Sequence, residues 1–458
     1  MRNIISSIAQ FLPLLMCSSA MAQTTAQHPQ QHSSEPHTEV LATPEQLEFE
    51  ATTLRVLATP EMAAAIRRIE QLYSHDPRAR DAAGRARIKH AAQSIGVAAI
   101  NYAISEDASR PAAIWGSNLR HHWHGMVVPG SGFGIENPDN IYQGITVAGG
   151  GRYVLQGRLP QPGPIELHFE VRDSIPGFGA MQVEGFRQLA TLQSEQMQIE
   201  PDGRFRILID SNPADQSANH LLIPDNGIYH IGIRQLLTDW AVQPPAELRV
   251  QRLDPAPAPA SRNITELSRL AGQILDKIGP YWLNYNNQYI YTRPVNSLTT
   301  PRVRPGGRGI STSGHYALAA DQALVVTLAP LGAASLGIQL ADPWGVAYDY
   351  DQRSSSLNNA QAVANSDGTY TFVISARDPG VHNWLDSGGF ASGLIAIRWQ
   401  RLTGATAADA AGGIRSVNVI KLNAVQSAIP AGPGRAAATD RRAIRAARNK
   451  AYRMRLTQ

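Results

Sequence analysis

The stretch DPGVHNWLDSGG, residues 378–389, brings Asp378, His382 and Asp386 within nine residues, with Asn383 and Trp384 between them. Two carboxylates and an imidazole are the groups of general acid–base catalysis, and an indole is a stacking floor for a sugar ring. Just upstream, YDYDQRSSSLNNAQ (348–361) sets Asp349, Asp351, Arg353, Asn358 and Gln361 in one polar loop, a set suited to gripping hydroxyls or a carboxylate. A third stretch, GSNLRHHWHG (116–125), places His122 and His124 two apart, so that on a strand both would face one side, as two metal ligands must. Gly116 and this pair open the pattern of a cupin metal site, but Val128 and Pro129 stand where its glutamate belongs. A divalent metal is therefore only the third-ranked expectation, and no other cofactor is expected. A fourth stretch, YWLNYNNQYIY (281–291), repeats Tyr281, Trp282, Tyr285 and Tyr289 at helical spacing, either to line a ligand cleft or to wedge domains together.

These residues have to be positioned by something, and the surrounding text reads as β structure. Short runs such as RYVLQGRL, IELHFEVRD, RFRILIDS and IYHIGIRQ, then ALVVTLAP, TYTFVISA and GLIAIRWQRL, are separated by Gly, Pro, Asn and Asp. The two series align. An Asp-Gly turn begins each at Asp202 and Asp367, and Asn219 to Arg234 spans the same fifteen residues as Asn383 to Arg398. This register predicts an internal duplication, two antiparallel β-sandwiches of jelly-roll-like form. Asn219, Arg234 and their counterparts then have a plain structural reading, the asparagine as a hydrogen-bonding plug and the arginine as a tether.

Around the sandwiches the chain divides further. Residues 1–22 read as an export leader: Arg2, an apolar run from Ile4 to Met16, and Ala20-Met21-Ala22 as a cleavage signal, with lipidation at Cys17 as the rival. Residues 23–42 lack periodicity and read as a disordered lead-in; 43–108 are helical, with Thr43-Pro44 and Thr59-Pro60 as helix starts. The first β domain is placed at 109–252, a linker and bridging helix at 253–292, the second β domain at 293–424 and a basic tail at 425–458.

Composition excludes several classes. Cys17 is the one cysteine in the chain, so a cleaved chain has no disulfide, Cys-ligated zinc, iron–sulfur cluster or thiol nucleophile. The net charge of +4 comes from the tail, since residues 435–458 carry eight basic side chains and one acid and the rest is mildly acidic. Nucleic acid is thus not an expected partner, whereas a tail helix with Ile444, Ala447, Ala451 and Met454 on one side suits peripheral contact with an anionic membrane. The serine-hydrolase elbow, the zincin motif, the P-loop and the dinucleotide fingerprint are all absent.

The segments GHYALAADQALVVTLAP, LADPWGVAYDYDQRSSSLNNAQAV, SDGTYTFVISARDPGVHNWLDSGG and GLIAIRWQ resemble the bacterial family known only as domain of unknown function twelve-fourteen, across roughly residues 115–400. The resemblance implies an all-β fold and no established reaction. The sequence-based expectation is an exported protein, periplasmic or secreted, that binds a polyhydroxylated or amphipathic small molecule or a glycan at the second β domain. Arg353, Asn358, Gln361, Asn383, Trp384 and Arg398 would hold it. The alternative is a hydrolase or lyase acting on glycan or lipid-like material through Asp386, Asp378 and His382, and the third reading is a cupin-like metal enzyme through His122 and His124. Oligomeric state is left open.

Overall fold

The computed structural model describes residues 40–456 apart from 180, 182–184, 214–218, 256–261, 403–406 and 431–433. The expected leader, Cys17, nearly all of the lead-in and most of the Pro-Ala linker lie outside the described residues. Three helices come first, α1 (Pro44–Leu57), α2 (Pro60–Ser74) and α3 (Ala82–Ser105). Thr43 and Thr59 cap the first two by accepting from the backbone N–H of Gln46 and Met62, with proline at the first helical position of each.

Two β-sandwiches follow. The first uses β1 (Ile114–Gly116), β4 (Asn140–Ala148), β5 (Tyr153–Arg158), β6 (Glu166–Arg172), β7 (Gln188–Gln193), β8 (Arg204–Asp210), β9 (His220–Leu222), β10 (Ile228–Leu236) and β11 (Glu247–Arg252), with a small ribbon of β2 (His121–Trp123) and β3 (Met126–Val128) beside it. The second comprises β12 (Ser297–Leu298), β13 (Arg302–Val303), β14 (Ile310–Ala317), β15 (Gln322–Leu328), β16 (Ser335–Ala341), β17 (Ser356–Asn358), β18 (Tyr370–Ser375), β19 (Trp384–Asp386), β20 (Ser392–Gln400) and β21 (Ile414–Lys421).

Strand order repeats between the copies. The sheets run β1-β4-β10-β6-β7 and β11-β5-β8-β9 in the first, β12-β14-β20-β16-β17 and β19-β18-β15-β21 in the second. Read from β11 and from β21, the smaller sheets match strand for strand, including the short parallel pairs β8–β9 and β18–β19 in otherwise antiparallel sheets. The fold is mainly β, and the duplication read in the sequence is visible as repeated topology.

The plugs repeat as well. Asn219 donates to the carbonyls of Gln198 and Arg206 and accepts from the N–H of Gln198, at 2.8 to 3.0 Å. Asn383 makes the same three bonds to Val363 and Thr371. Each plug satisfies backbone groups that a buried loop would otherwise leave unpaired.

Each sandwich has its own apolar core, Leu167, Phe169 and Val171 of β6 in the first and Leu336, Ile338 and Leu340 of β16 in the second. Helix α4 (Ile264–Tyr285) starts at the Asn263–Glu266 capping box and packs Leu267, Ile274 and Ile278 against α2 and α3. Tyr73 stacks on Trp344 at 4.7 Å and the Trp344 indole donates to the Gly84 carbonyl, so this helical layer is seated on the second sandwich. After two short helices, α5 (Ala407–Ala411) and α6 (Val425–Ala428), the chain closes with α7 (Ala438–Arg453). Among the described residues no helix is long and apolar enough to cross a membrane.

Candidate functional site

Strand β6 shows how the site is made. Leu167, Phe169 and Val171 enter the first core, so by the two-residue period of a strand Glu166, His168, Glu170 and Arg172 share the opposite face. That face is buried too, because β6 lies inside the molecule. On β10 the same face carries His230, Gly232 and Arg234, and the strand pairing sets Gly232 opposite Glu170 and Arg234 opposite His168. The larger sheet of the second sandwich contributes Ser311 and Ser313 of β14 and Arg398 of β20. These polar sheet faces and the helical layer enclose a cavity of about 350 Å³, within the size range of small-molecule sites.

The cavity has two characters. Its sheet side carries six arginines: Arg172, Arg234, Arg302, Arg304, Arg308 and Arg398. Its helix side is largely aromatic, with Tyr102 of α3, Phe133, and Trp282 and Tyr285 of α4. Phe133 and Trp282 pack at 5.7 Å, and Trp282 and Tyr285 at 5.2 Å. The aromatic stripe therefore lines a cleft and wedges the helical layer in place at once.

The arginines are fixed by specific partners. Arg234 donates to Glu170 at 2.9 Å, and Glu170 is fully buried. Although burial opposes its charge, the guanidinium groups of Arg172 and Arg234 hold Glu170 well below the usual carboxylate range. Arg172 lies over the Phe186 ring at 4.3 Å and crosses β10 at Gly232, where a Cβ would come within 2.3 Å of its guanidinium. Arg398 donates to the Ile135 carbonyl at 2.6 Å and to the Gln339 side chain. Burial and the nearby charges of Arg304 and Arg234 pull its pKa below the ordinary arginine value.

Arg304 and Arg308 flank a turn at 305–307 that reaches from the second sandwich to the first. The Gly306 carbonyl accepts from His168 Nε2 at 2.8 Å and from Gln193 Nε2 at 3.0 Å. Gly306 sits at φ 67° with the end of the Gln188 side chain against it, a conformation that favours glycine. Donating from Nε2 leaves His168 Nδ1 as an acceptor facing Arg234, and burial lowers its pKa to about 4. His230 is lowered to about 4 by burial and by Arg172. The carboxyls on the cavity wall move the other way: burial raises Glu136 to about 8 and Glu166 to about 7. At neutral pH the wall is strongly positive.

Of the residues expected to bind a ligand, Arg398 alone lines this cavity. The others form a real cluster whose occupant is the chain's own C-terminal helix. Arg441, Arg448 and Arg455 are buried and lie seven residues apart on α7 and its end. Arg441 grips Asp378 through both carboxylate oxygens at 2.9 and 3.0 Å, donates to the Val381 and His382 carbonyls and covers the Trp384 ring at 5.0 Å. Arg448 donates to the Tyr350 carbonyl, to Ser356 at 2.6 Å and to Gln361 at 3.2 Å. Trp240 is held between Arg448 and Arg455 at 4.4 and 4.3 Å. Asn358 bridges the sandwiches by donating to Asp139 at 2.7 Å and to the Thr238 carbonyl.

Asp386 accepts from Arg353 at 3.3 Å and from Arg445 at 3.5 Å, and the Trp384 indole donates to the Ser375 carbonyl. His382 contacts its neighbour Asn383 through Nδ1 at 3.3 Å. Of the expected acid–base set, Asp378 and Asp386 are thus engaged in docking α7, and His382 meets it through its backbone carbonyl. On the tail itself, Ala451 is buried as the apolar-side reading requires, but Ala447 is exposed and three of the basic side chains turn inward, not toward solvent.

The metal reading is corrected as well. His122 is exposed on β2, while His124 lies past the strand end at φ 45°. The inward positions belong to His121 and Trp123, which bind Glu50 at 3.2 and 2.6 Å. Among the described residues no group of three or more His, Cys, Asp or Glu is placed to hold a metal ion.

No family model matches the chain, and no curated protein matches it. Among solved structures, it is similar to an uncharacterised protein from Burkholderia cenocepacia, with a TM-score of 0.63 and 22% identity over 81% of this chain and 99% of that one. It is matched more remotely by a protein from Vibrio parahaemolyticus, with a TM-score of 0.39 and 10% identity over 63% of this chain and 90% of that one. The first likeness shows the fold alone.

Proposed function

We propose that this protein binds an amphipathic, negatively charged small molecule in the cavity between its two sandwiches. One observation carries the reading: six arginines on the sheet side of a single cavity face an aromatic wall on its helix side. Charge-assisted bonds from guanidinium groups fit the oxyanion of a carboxylate, sulfonate or phosphate, and the aromatic wall fits an apolar body. Two buried donors support it, since Arg172 Nε and Trp282 Nε1 have no hydrogen-bond partner among the described residues. Buried donors of this kind call for an acceptor.

The reading keeps the amphipathic ligand expected from the sequence and moves it from the second sandwich to the space between the copies. Export remains part of the proposal through the leader at residues 1–22. Calorimetric titration of residues 23–458 with naphthalene-1-sulfonate and with 1-naphthol tests the binding. The sulfonate is expected to bind and the uncharged naphthol to bind at least tenfold more weakly. Equal affinity for the two would remove the role given to the arginines.

A further inference from the structure

We infer that Gly144 sets the shape of the ligand: the molecule held between the sandwiches carries a planar ring that lies on the bare backbone of β4 at this residue. The inference rests on the cavity being the binding site and names the part of its wall that selects the apolar body.

Gly144 stands in the middle of β4 and lines the cavity. Its φ lies outside the left-handed region, so this backbone accepts any residue. A side chain would also find room, since a Cβ at Gly144 meets no atom within 4 Å among the described residues, its chain neighbours aside. Two other glycines of the wall are explained by the fold itself. Gly134 sits at φ 64° against the Trp282 ring, and Gly232 lies beneath the Arg172 guanidinium. Glycine inside a strand weakens it, and where no neighbour needs the space it marks a close approach by something else.

The surroundings of Gly144 define that approach. Ile114 of β1 and Gly232 of β10 stand opposite it, and Tyr142 and Thr146 flank it on the same face of β4. Arg172 covers Gly232, so the open floor is confined to Gly144. The aromatic wall begins beside it: His230, opposite Thr146, meets Tyr102 at 6.4 Å, and Tyr102–Phe133 and Phe133–Trp282 continue at 6.3 and 5.7 Å. A thin, flat ring fits between bare backbone and such a wall, and a branched body does not reach the floor.

Two polar atoms beside the floor also point to an occupant. Arg172 Nε is a buried donor, and Asn140 Oδ1, four residues along the same face on a side chain of a residue only 6% exposed, is a buried acceptor. Neither has a hydrogen-bond partner among the described residues, and polar substituents on the ring would meet them.

The test is calorimetric titration of the parent, Gly144→Ala, Gly144→Val and Arg234→Ala with naphthalene-1-sulfonate, beside urea unfolding of each. Gly144→Val is expected to unfold at a urea midpoint no lower than the parent's, because valine suits a strand and finds open space, yet to bind the sulfonate at least fivefold more weakly. Gly144→Ala is expected to lose less, in the same direction. A loss below fivefold in Gly144→Val, with Arg234→Ala still impaired, overturns the ring floor and leaves the anion cavity standing. A lowered urea midpoint in both Gly144 variants overturns it too, since the fold itself would then require the glycine. If the parent binds the sulfonate no better than 1-naphthol, the cavity reading itself fails.

Discussion

Arg234 and Arg398 stand at the same position in two copies of one fold, and both face the same cavity. Each lies fifteen residues beyond its copy's asparagine plug, on the strand between the equivalents of β4 and β6. Duplication thus sets two cations facing one space from two frames, which a single sandwich could not do. Their local partners differ, Glu170 for one and the Ile135 carbonyl for the other.

Replacing either arginine separates binding from folding. Arg234→Ala is expected to weaken naphthalene-1-sulfonate binding by at least tenfold, about 1.4 kcal/mol. It also removes the shorter of the two ion pairs of buried Glu170, so a stability loss of about 1 to 3 kcal/mol is expected in urea unfolding. Arg234→Lys should recover part of both. Unchanged sulfonate affinity in Arg234→Ala would contradict the site.

The pH dependence of stability follows from four cavity groups. Glu136 and Glu166 are raised to about 8 and 7, so above their unfolded values near 4.3 the native state holds more protons and stability falls with rising pH. His168 and His230 are lowered to about 4, so between pH 4 and 6.5 the unfolded state holds more protons and stability rises with pH. The two pairs oppose one another up to about pH 6.5. Beyond it the histidine contribution fades and the glutamates dominate, and a net loss of about 1 to 2 kcal/mol is expected between pH 6.5 and 8. Urea unfolding across that range checks the slope, and Glu136→Gln should flatten most of it.

The two plugs should behave alike. Asn219→Ala and Asn383→Ala each strand three backbone groups, so each is expected to cost about 2 to 4 kcal/mol without changing ligand affinity. Paired melting and titration of the two variants reads both quantities. A loss of affinity in Asn383→Ala with stability intact would restore the binding role expected from the sequence.

The C-terminal helix is part of the fold. Arg448→Met removes a buried cation and leaves the Tyr350 carbonyl, Ser356 and Gln361 without it, so a loss of about 3 kcal/mol is expected in chemical denaturation. Asp386→Asn touches partners that are a third and a half exposed, so less than about 1 kcal/mol is expected, with sulfonate affinity unchanged.

Strand periodicity, helix caps and the aligned Asp-Gly, Asn and Arg positions made the sandwiches and their duplication legible. The cavity was hidden by the same periodicity. In IELHFEVRD the alternation is plain, but alternation alone does not tell whether the polar face meets water or a buried space, and Glu166, His168, Glu170 and Arg172 meet the latter. The usable signal was chemical, since His and Glu alternating on one strand and His230 with Arg234 on another are costly to bury without a purpose. Local density misled in the opposite way. Asp378, Asp386, Asn358 and Gln361 do form a polar groove, but the basic tail that fills it lies some sixty to a hundred residues away in sequence, and no short-range pattern joins the two.

The most direct test of the cavity is a crystal structure of the protein with naphthalene-1-sulfonate bound. The sulfonate is expected within hydrogen-bond reach of Arg234 and Arg398, with its ring against Trp282 and Tyr285. A ring bound elsewhere, with Arg234 and Arg398 still engaged by Glu170, Gln339 and the Ile135 carbonyl and not by the sulfonate, would contradict the account.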